Sequence, residues 1–260
     1  SPLLTPSVSF GAAPAEPMSS RSALAAAGAS AVPGPPAIVD VADLKAQLGG
    51  LGSDEASAWR ALAALWRIAA DVDADAGAGA GAGAGSGSVC AAAARRQVHC
   101  SKLPATSALL RSLDRPGFLN LRDGEGKAVS VVLLALDGDT AIVAGRDGVR
   151  HSVAWNALRS LWRGEFGTLW RVPTGYTTAL GEGASGPLVD RLATQLASVA
   201  GEPQPVGVQS FDAAMRDMLL RFQSTHGLTA DGKAGPATFM QINRATGVDE
   251  PKLLVAGTAH

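Results

Sequence analysis

The residues able to do chemistry are few and lie in two places. Cys90 and Cys100 stand ten positions apart, with His99 beside the second cysteine. A zinc site would use Cys90, His99 and Cys100. No fourth ligand is at hand, adjacent His and Cys side chains rarely chelate together, and the spacing is not that of paired CxxC motifs, so no metal is expected. The preferred reading is one disulfide closing a short loop, worth roughly 2–3 kcal/mol. Two free buried thiols are the alternative. A disulfide points to an oxidising compartment such as a bacterial periplasm. A nucleophilic Cys100 would need an imidazole base. His99 is its chain neighbour and points away, and His151 falls in an expected strand, so neither makes a convincing pair.

The second place is Gly227 to Ala234, GLTADGKA, one residue short of the phosphate-cradling pattern G-x-x-x-x-G-K-[ST]. Ala234 lacks the hydroxyl that would hold magnesium, and the preceding residues repeat with helical rather than strand periodicity. Nucleotide binding is not expected, and no cofactor is. A glycine that stops a helix and an Asp-Gly turn account for the match.

The elements that must position these groups divide into two kinds. Asp40 opens a helix with Val41, Leu44 and Leu48 at helical spacing. A stronger helix follows Ser53-Asp54, with a stripe of Trp59, Leu62, Leu65, Trp66 and Ala69. Beyond the cysteines, residues 107–113 read as a short helix and 118–121 as a short strand. The apolar run 128–136 is the strongest strand signal in the chain. Turns at Asp137-Gly138 and Asp147-Gly148 join it to strands at 140–144 and 149–153, giving an antiparallel meander. A helix at 155–162 and a strand at 166–172 complete this part. Trp155, Trp162 and Trp170 have the spacing of core residues. The last third holds three helices and no strand. The first follows Gly186-Pro187 with Leu188, Leu192, Leu196 and Val199 on one face. The second carries Met215, Met218, Leu219 and Phe222 and stops at Gly227, with His226 as a cap beside the helix dipole. The third opens at Pro236 with Phe239 and Ile242 inward.

Composition bounds what such elements can serve. The chain has 260 residues, with 22 basic and 23 acidic side chains for a net charge of −1. No basic run and few aromatics argue against a nucleic-acid partner. No apolar run is long enough to span a bilayer. Residues 1–36, rich in Pro and Ala, read as a disordered tether. Residues 76–88, mostly alternating Gly and Ala, read as a loop inserted in the first domain. The resulting layout is a tether at 1–36, an α+β domain at 37–175, an all-α three-helix domain at 180–247 and a tail at 248–260.

Several segments carry resemblances. Phe222-Gln223, Gly227-Leu228, Asp231-Gly232, Gly235-Pro236 and Thr238, at their spacing, resemble the peptidoglycan-binding domain family. That resemblance implies a non-catalytic three-helix module that holds proteins on murein. The polar residues around its turn, Arg221, Gln223, Asp231, Lys233 and Thr238, are the candidate ligand contacts. Upstream, WRALAALW at 59–66, the Cys90 and Cys100 pair, LDRP at 113–116, LDGD at 136–139, LWRGEF at 161–166 and Leu169-Trp170 resemble the periplasmic region of the type II secretion system A protein. The resemblance implies a periplasmic segment of an inner-membrane protein. It also implies work with a B protein to bring the outer-membrane secretin through the cell wall, with homo-oligomerisation open. The ATPase domain and membrane helix of that family have no counterpart in this sequence, so the resemblance implies membrane attachment only through that missing upstream helix.

Residues 40–172 also resemble papain-like C39 peptidases, which implies a degenerate, inactive fold of that class. The nucleophile position, at the start of the long helix, falls on Asp54, Ser57 and Ala58 rather than Cys. The position of the His falls on Val129 and Ser130. That of the orienting Asp falls on Ala144 and Gly145. A thiolate and imidazole pair has no residues here to build it. The expectation is a binding protein without catalytic residues. The rival is a cysteine peptidase or murein hydrolase bearing a wall-binding module.

Overall fold

The computed structural model describes residues 37–68 and 86–253. The Pro/Ala-rich tether, residues 76–85 of the Gly/Ala tract and the last seven residues lie outside the described residues. Helix α1 spans Val41–Leu51 and α2 Glu55–Leu65. Both start where a short acidic side chain accepts an orphan backbone N–H: Asp40 takes that of Asp43 and Asp54 that of Ser57, each at 2.8 Å. The apolar stripe of α2 is rotated from the sequence expectation. Ala58, Trp59, Leu62 and Ala63 are buried, whereas Leu65 is 41% exposed. Helix α3, Ser86–Arg95, starts inside the stretch expected as a Gly/Ala loop, so residues 86–88 are its first turn rather than loop. Helix α4 spans Ser107–Leu113 and α5 Trp155–Leu161.

Six strands form one antiparallel sheet: β1 Val98–Pro104, β2 Gly117–Arg122, β3 Ala128–Asp137, β4 Thr140–Ala144, β5 Arg150–Ala154 and β6 Trp162–Arg171. Their order is β1-β6-β2-β3-β4-β5. The expected meander is β3-β4-β5, extended on one side by β2. Strand β1, absent from the sequence reading, pairs with β6 over its full length. Its seven residues VHCSKLP carry polar side chains at 99, 101 and 102, which breaks the alternation of a strand, and a terminal proline, which weakens the signal further.

The sheet is covered on both faces, which explains why β3 reads as a continuous apolar run. Val132, Leu134, Phe118 and Leu169 pack under α2 and α3, with Trp59 edge-on to Phe118 at 4.9 Å between ring centroids. Val131, Leu133, Leu119, Phe166 and Trp170 face the opposite layer. Close strand approach needs Gly167: a Cβ there would lie 2.2 Å from the Phe118 ring.

The C-terminal helices are α6 Pro187–Ala200, α7 Ala213–Thr225 and α8 Pro236–Ala245. Gly227 stops α7 with φ 68°, and Pro236 opens α8, as their types require. The helices form a bundle, and their apolar core is continuous with the second face of the sheet. Trp170 stacks on Phe239 of α8 with centroids 6.4 Å apart, and Tyr176 closes edge-on against both rings. A buried ion pair pins the join. Arg115, after α4, bonds Glu250 at 2.8 Å and the carbonyl oxygens of Leu169 and Met240, with both charged side chains no more than 5% exposed. The Glu250 carboxylate also accepts the Arg171 N–H and the Asn243 amide. Residues 248–253, expected as tail, are therefore docked structure.

Candidate functional site

The three positions that the peptidase resemblance singled out in the sequence, around Ser57, Ser130 and Gly145, do come together. The N-terminus of α2, the start of β3 and the end of β4 enclose a cleft of about 250 Å3 lined by Ser53, Ser57, Ser130, Ala144, Gly145 and Arg146 among others. Local hydrogen bonding assembles it. Ser53 and Ser130 exchange two backbone hydrogen bonds of 2.9 Å, tying the segment before α2 to the edge of β3. This approach needs Gly52, because a Cβ there would fall 1.8 Å from Val129 Cγ1.

The cleft is built, but its chemistry is weak. Ser57 is the one residue near the nucleophile position with a hydroxyl aimed at an acid, donating to Asp54 at 3.2 Å. The backbone N–H of Ser57 holds the Asp54 carboxyl below its usual range, which makes it a poorer base. Ser130 donates instead to Asn120 Oδ1 at 2.8 Å, and Asn120 in turn donates to Glu165. At Gly145 a Cβ would meet Asp147 Oδ1 at 2.7 Å and His151 Nε2 at 2.9 Å, so those side chains occupy the space an orienting acid would need. Cys100 offers no substitute nucleophile: it forms a disulfide with Cys90 that ties β1 to α3, and no described cysteine is free. His99 faces Trp170 and Tyr176 edge-on. Among the described residues, no three His, Cys, Asp or Glu side chains gather as a metal site.

The polar residues expected around the C-terminal turn separate into different roles. Gln223 was expected to be exposed and is 1% exposed. Its amide donates to Asp231 Oδ1, the Lys233 carbonyl and Thr238 Oγ1, and its oxygen accepts the Gly232 N–H. Thr238, 4% exposed, is one of those partners. Both residues organise the turn from within, since a buried amide surrounded by four turn atoms is best satisfied there. Asp231 receives the Lys233 N–H at 2.9 Å and stays exposed, as does Lys233. Arg221 is exposed elsewhere, beside a smaller hollow bordered by Leu196, Val199 and Met218.

The turn does not face open solvent alone. Asp231 and Lys233 border a groove of about 300 Å3 whose other wall comes from β1 and α4: Lys102, Leu103, Pro104 and Leu109. These were not anticipated, because nothing in their local sequence shows that β1 returns beside the helical module. Lys102 bonds Glu55 at 3.0 Å and Glu165 at 3.2 Å, and the hydrogen bond to Glu55 raises its pKa.

Residues 185–242 match the family described as a peptidoglycan binding domain. The chain is 31% identical over 165 residues to the general secretion pathway protein A of Aeromonas hydrophila; this covers 63% of the chain and 30% of that relative. It is 40% identical over 68 residues to the zinc D-Ala-D-Ala carboxypeptidase of Streptomyces albus G, covering 26% of the chain and 27% of that enzyme. Among solved structures, a periplasmic domain of the EpsAB fusion protein of the Vibrio vulnificus type II secretion system is 25% identical. That match covers 60% of this chain and 67% of that one, with a TM-score of 0.35. The chain thus spans less than a third of the length of the two curated relatives it matches. Carrying a peptidoglycan-binding family match at residues 185–242, it resembles the periplasmic region of the type II secretion system A protein.

Proposed function

We propose that this chain is a non-catalytic, periplasmic cell-wall anchor of a type II secretion assembly factor. It binds peptidoglycan through the turn between α7 and α8 and, together with a B protein, helps the secretin assemble through the wall. The observation that carries the reading is the pairing of two sites. A turn from a peptidoglycan-binding family is held rigid by Gln223, while a peptidase-like cleft presents Ser, Ala and Gly where Cys, His and Asp would be required. Preorganisation favours binding, because the ordering entropy is already met in the free protein. Self-association is compatible with this role.

Co-sedimentation with purified sacculi tests it. The wild-type chain is expected to pellet with sacculi, and Lys233→Ala, which removes no hydrogen bond of the turn, to remain largely in the supernatant at an unchanged melting temperature. Equal pelleting of both proteins would refute the assignment of the turn. Release of muropeptides from sacculi, or cleavage of a peptide library, would refute the non-catalytic reading. Point variants are the right tool. Deleting residues 187–250 would strip Trp170 of Phe239 and Arg115 of Glu250 and so destabilise what remains.

A further inference from the structure

The groove beside the turn has a character that the wall-binding module alone does not supply. On the module side stand Leu228 and the exposed Asp231 and Lys233; on the sheet side stand Leu103 and Leu109, both half-buried. Lys102 also borders the groove, but its ammonium is held by Glu55 and Glu165 and its aliphatic stem forms wall. Asp231 is engaged by Gln223 and the Lys233 backbone. Lys233 makes no ion pair with the described residues, so the groove sets one available cation against an aliphatic wall.

This pattern discriminates between the two chemistries of murein. A glycan strand presents hydroxyl groups and sugar faces, which bind through many hydrogen bonds and aromatic platforms, and among the described residues no aromatic ring lines this groove. A stem peptide presents alanyl methyl groups and free carboxylates, which match the aliphatic wall and the cation. Such sites combine an apolar surface with a few placed polar groups. Resting on the wall-binding reading above, we propose that the ligand is the carboxylate-bearing stem peptide of murein and that it lies in the seam. Lys233 takes a carboxylate, while Leu103 and Leu109, from outside the peptidoglycan-binding family match, supply the apolar wall. The docked sheet is then part of the binding site, and the buried Arg115–Glu250 pair holds the two walls in register.

Methyl-labelled NMR of the full chain tests this with two probes, a disaccharide carrying a tetrapeptide stem and the same disaccharide without peptide. The stem-bearing probe is expected to shift the methyl signals of Leu103 and Leu109 together with those of Leu228, and the bare disaccharide to leave them in place. Lys233→Glu should weaken the stem-bearing probe about tenfold or more, the loss of one charge contact. If only Leu228 and the turn respond, the seam is overturned and the wall anchor stands. If the bare disaccharide gives the same shifts, the peptide assignment is overturned. If sacculi pellet the protein while the stem-bearing probe leaves all these signals unmoved, the inference fails alone. If sacculi do not bind either, the wall reading fails with it.

Discussion

The cleft between α2, β3 and β4 and the turn between α7 and α8 are built with similar care and to different ends. The cleft is enclosed by backbone pairing at Ser53 and Ser130, yet its lining hydroxyls are turned to Asp54 and Asn120. The turn spends a whole buried glutamine on fixing its own backbone and leaves Asp231 and Lys233 outside. The contrast teaches that an intact frame says little about activity. Activity needs groups with matched proton affinity at the centre of the frame, whereas binding needs only a rigid surface of the right polarity.

The contrast can be broken at the join between the regions. Arg115→Ala leaves Glu250 buried and unpaired and is expected to cost about 3–5 kcal/mol. Because the apolar core is shared, thermal unfolding followed at Trp fluorescence and by far-ultraviolet circular dichroism should still show one transition, shifted down. Two separated transitions would show that the regions fold independently.

Next in size, Cys90→Ser and Cys100→Ser should each lower stability by about 3 kcal/mol, the loop-closure contribution of a short bridge. The two losses should be equal, and neither should alter wall binding at a temperature where the variants are folded. Two titratable thiols in the native wild type would contradict this.

Gln223→Ala sharpens the comparison from the other side. Removing the amide leaves the Gly232 N–H and the Thr238 hydroxyl short of partners, at a cost of about 2 kcal/mol. Sacculus binding should fall even in the folded population, since the turn loses its internal template. The mirror change in the cleft, Ser57→Ala, should leave sacculus binding as it was.

The smallest effect concerns the cap of α2. Asp54→Ala should cost about 1 kcal/mol at neutral pH. The folded-state pKa of Asp54 is depressed by the Ser57 N–H, so its contribution is complete above the ordinary carboxylate range and is lost as pH falls through and below it. Denaturant titrations of wild type and variant should therefore converge in strong acid. A gap that stays constant with pH would remove the ionised cap from the account.

Much of the fold was legible because its signals are local. Asp40 and Asp54 caps, the β-branched run of β3, the Asp-Gly hairpin turns and the Gly227 and Pro236 punctuation each act within a few residues. The residue types lining the cleft were legible too, since Ser57, Ser130 and Gly145 at those three places are a matter of identity. Strand β1 was missed because His99, Ser101 and Lys102 break the apolar alternation, and it becomes a strand by pairing with β6, a partner more than sixty positions away. Exposure of Gln223 was misjudged for a related reason. A glutamine in an amphipathic helix looks like surface until the following turn folds back over it.

What the sequence determined by itself was most of the elements, the order of the two architectures and the pairing candidates Cys90 and Cys100, because these depend on residue type and short spacing. Tertiary structure alone decided that the sheet and the helices share one core. It also decided that Glu250 lies buried against Arg115 and that the groove beside the turn between α7 and α8 has a second wall from β1 and α4. Those contacts join residues more than a hundred positions apart. Their energy comes from burial and charge pairing, which exist only once the chain has brought both partners out of water.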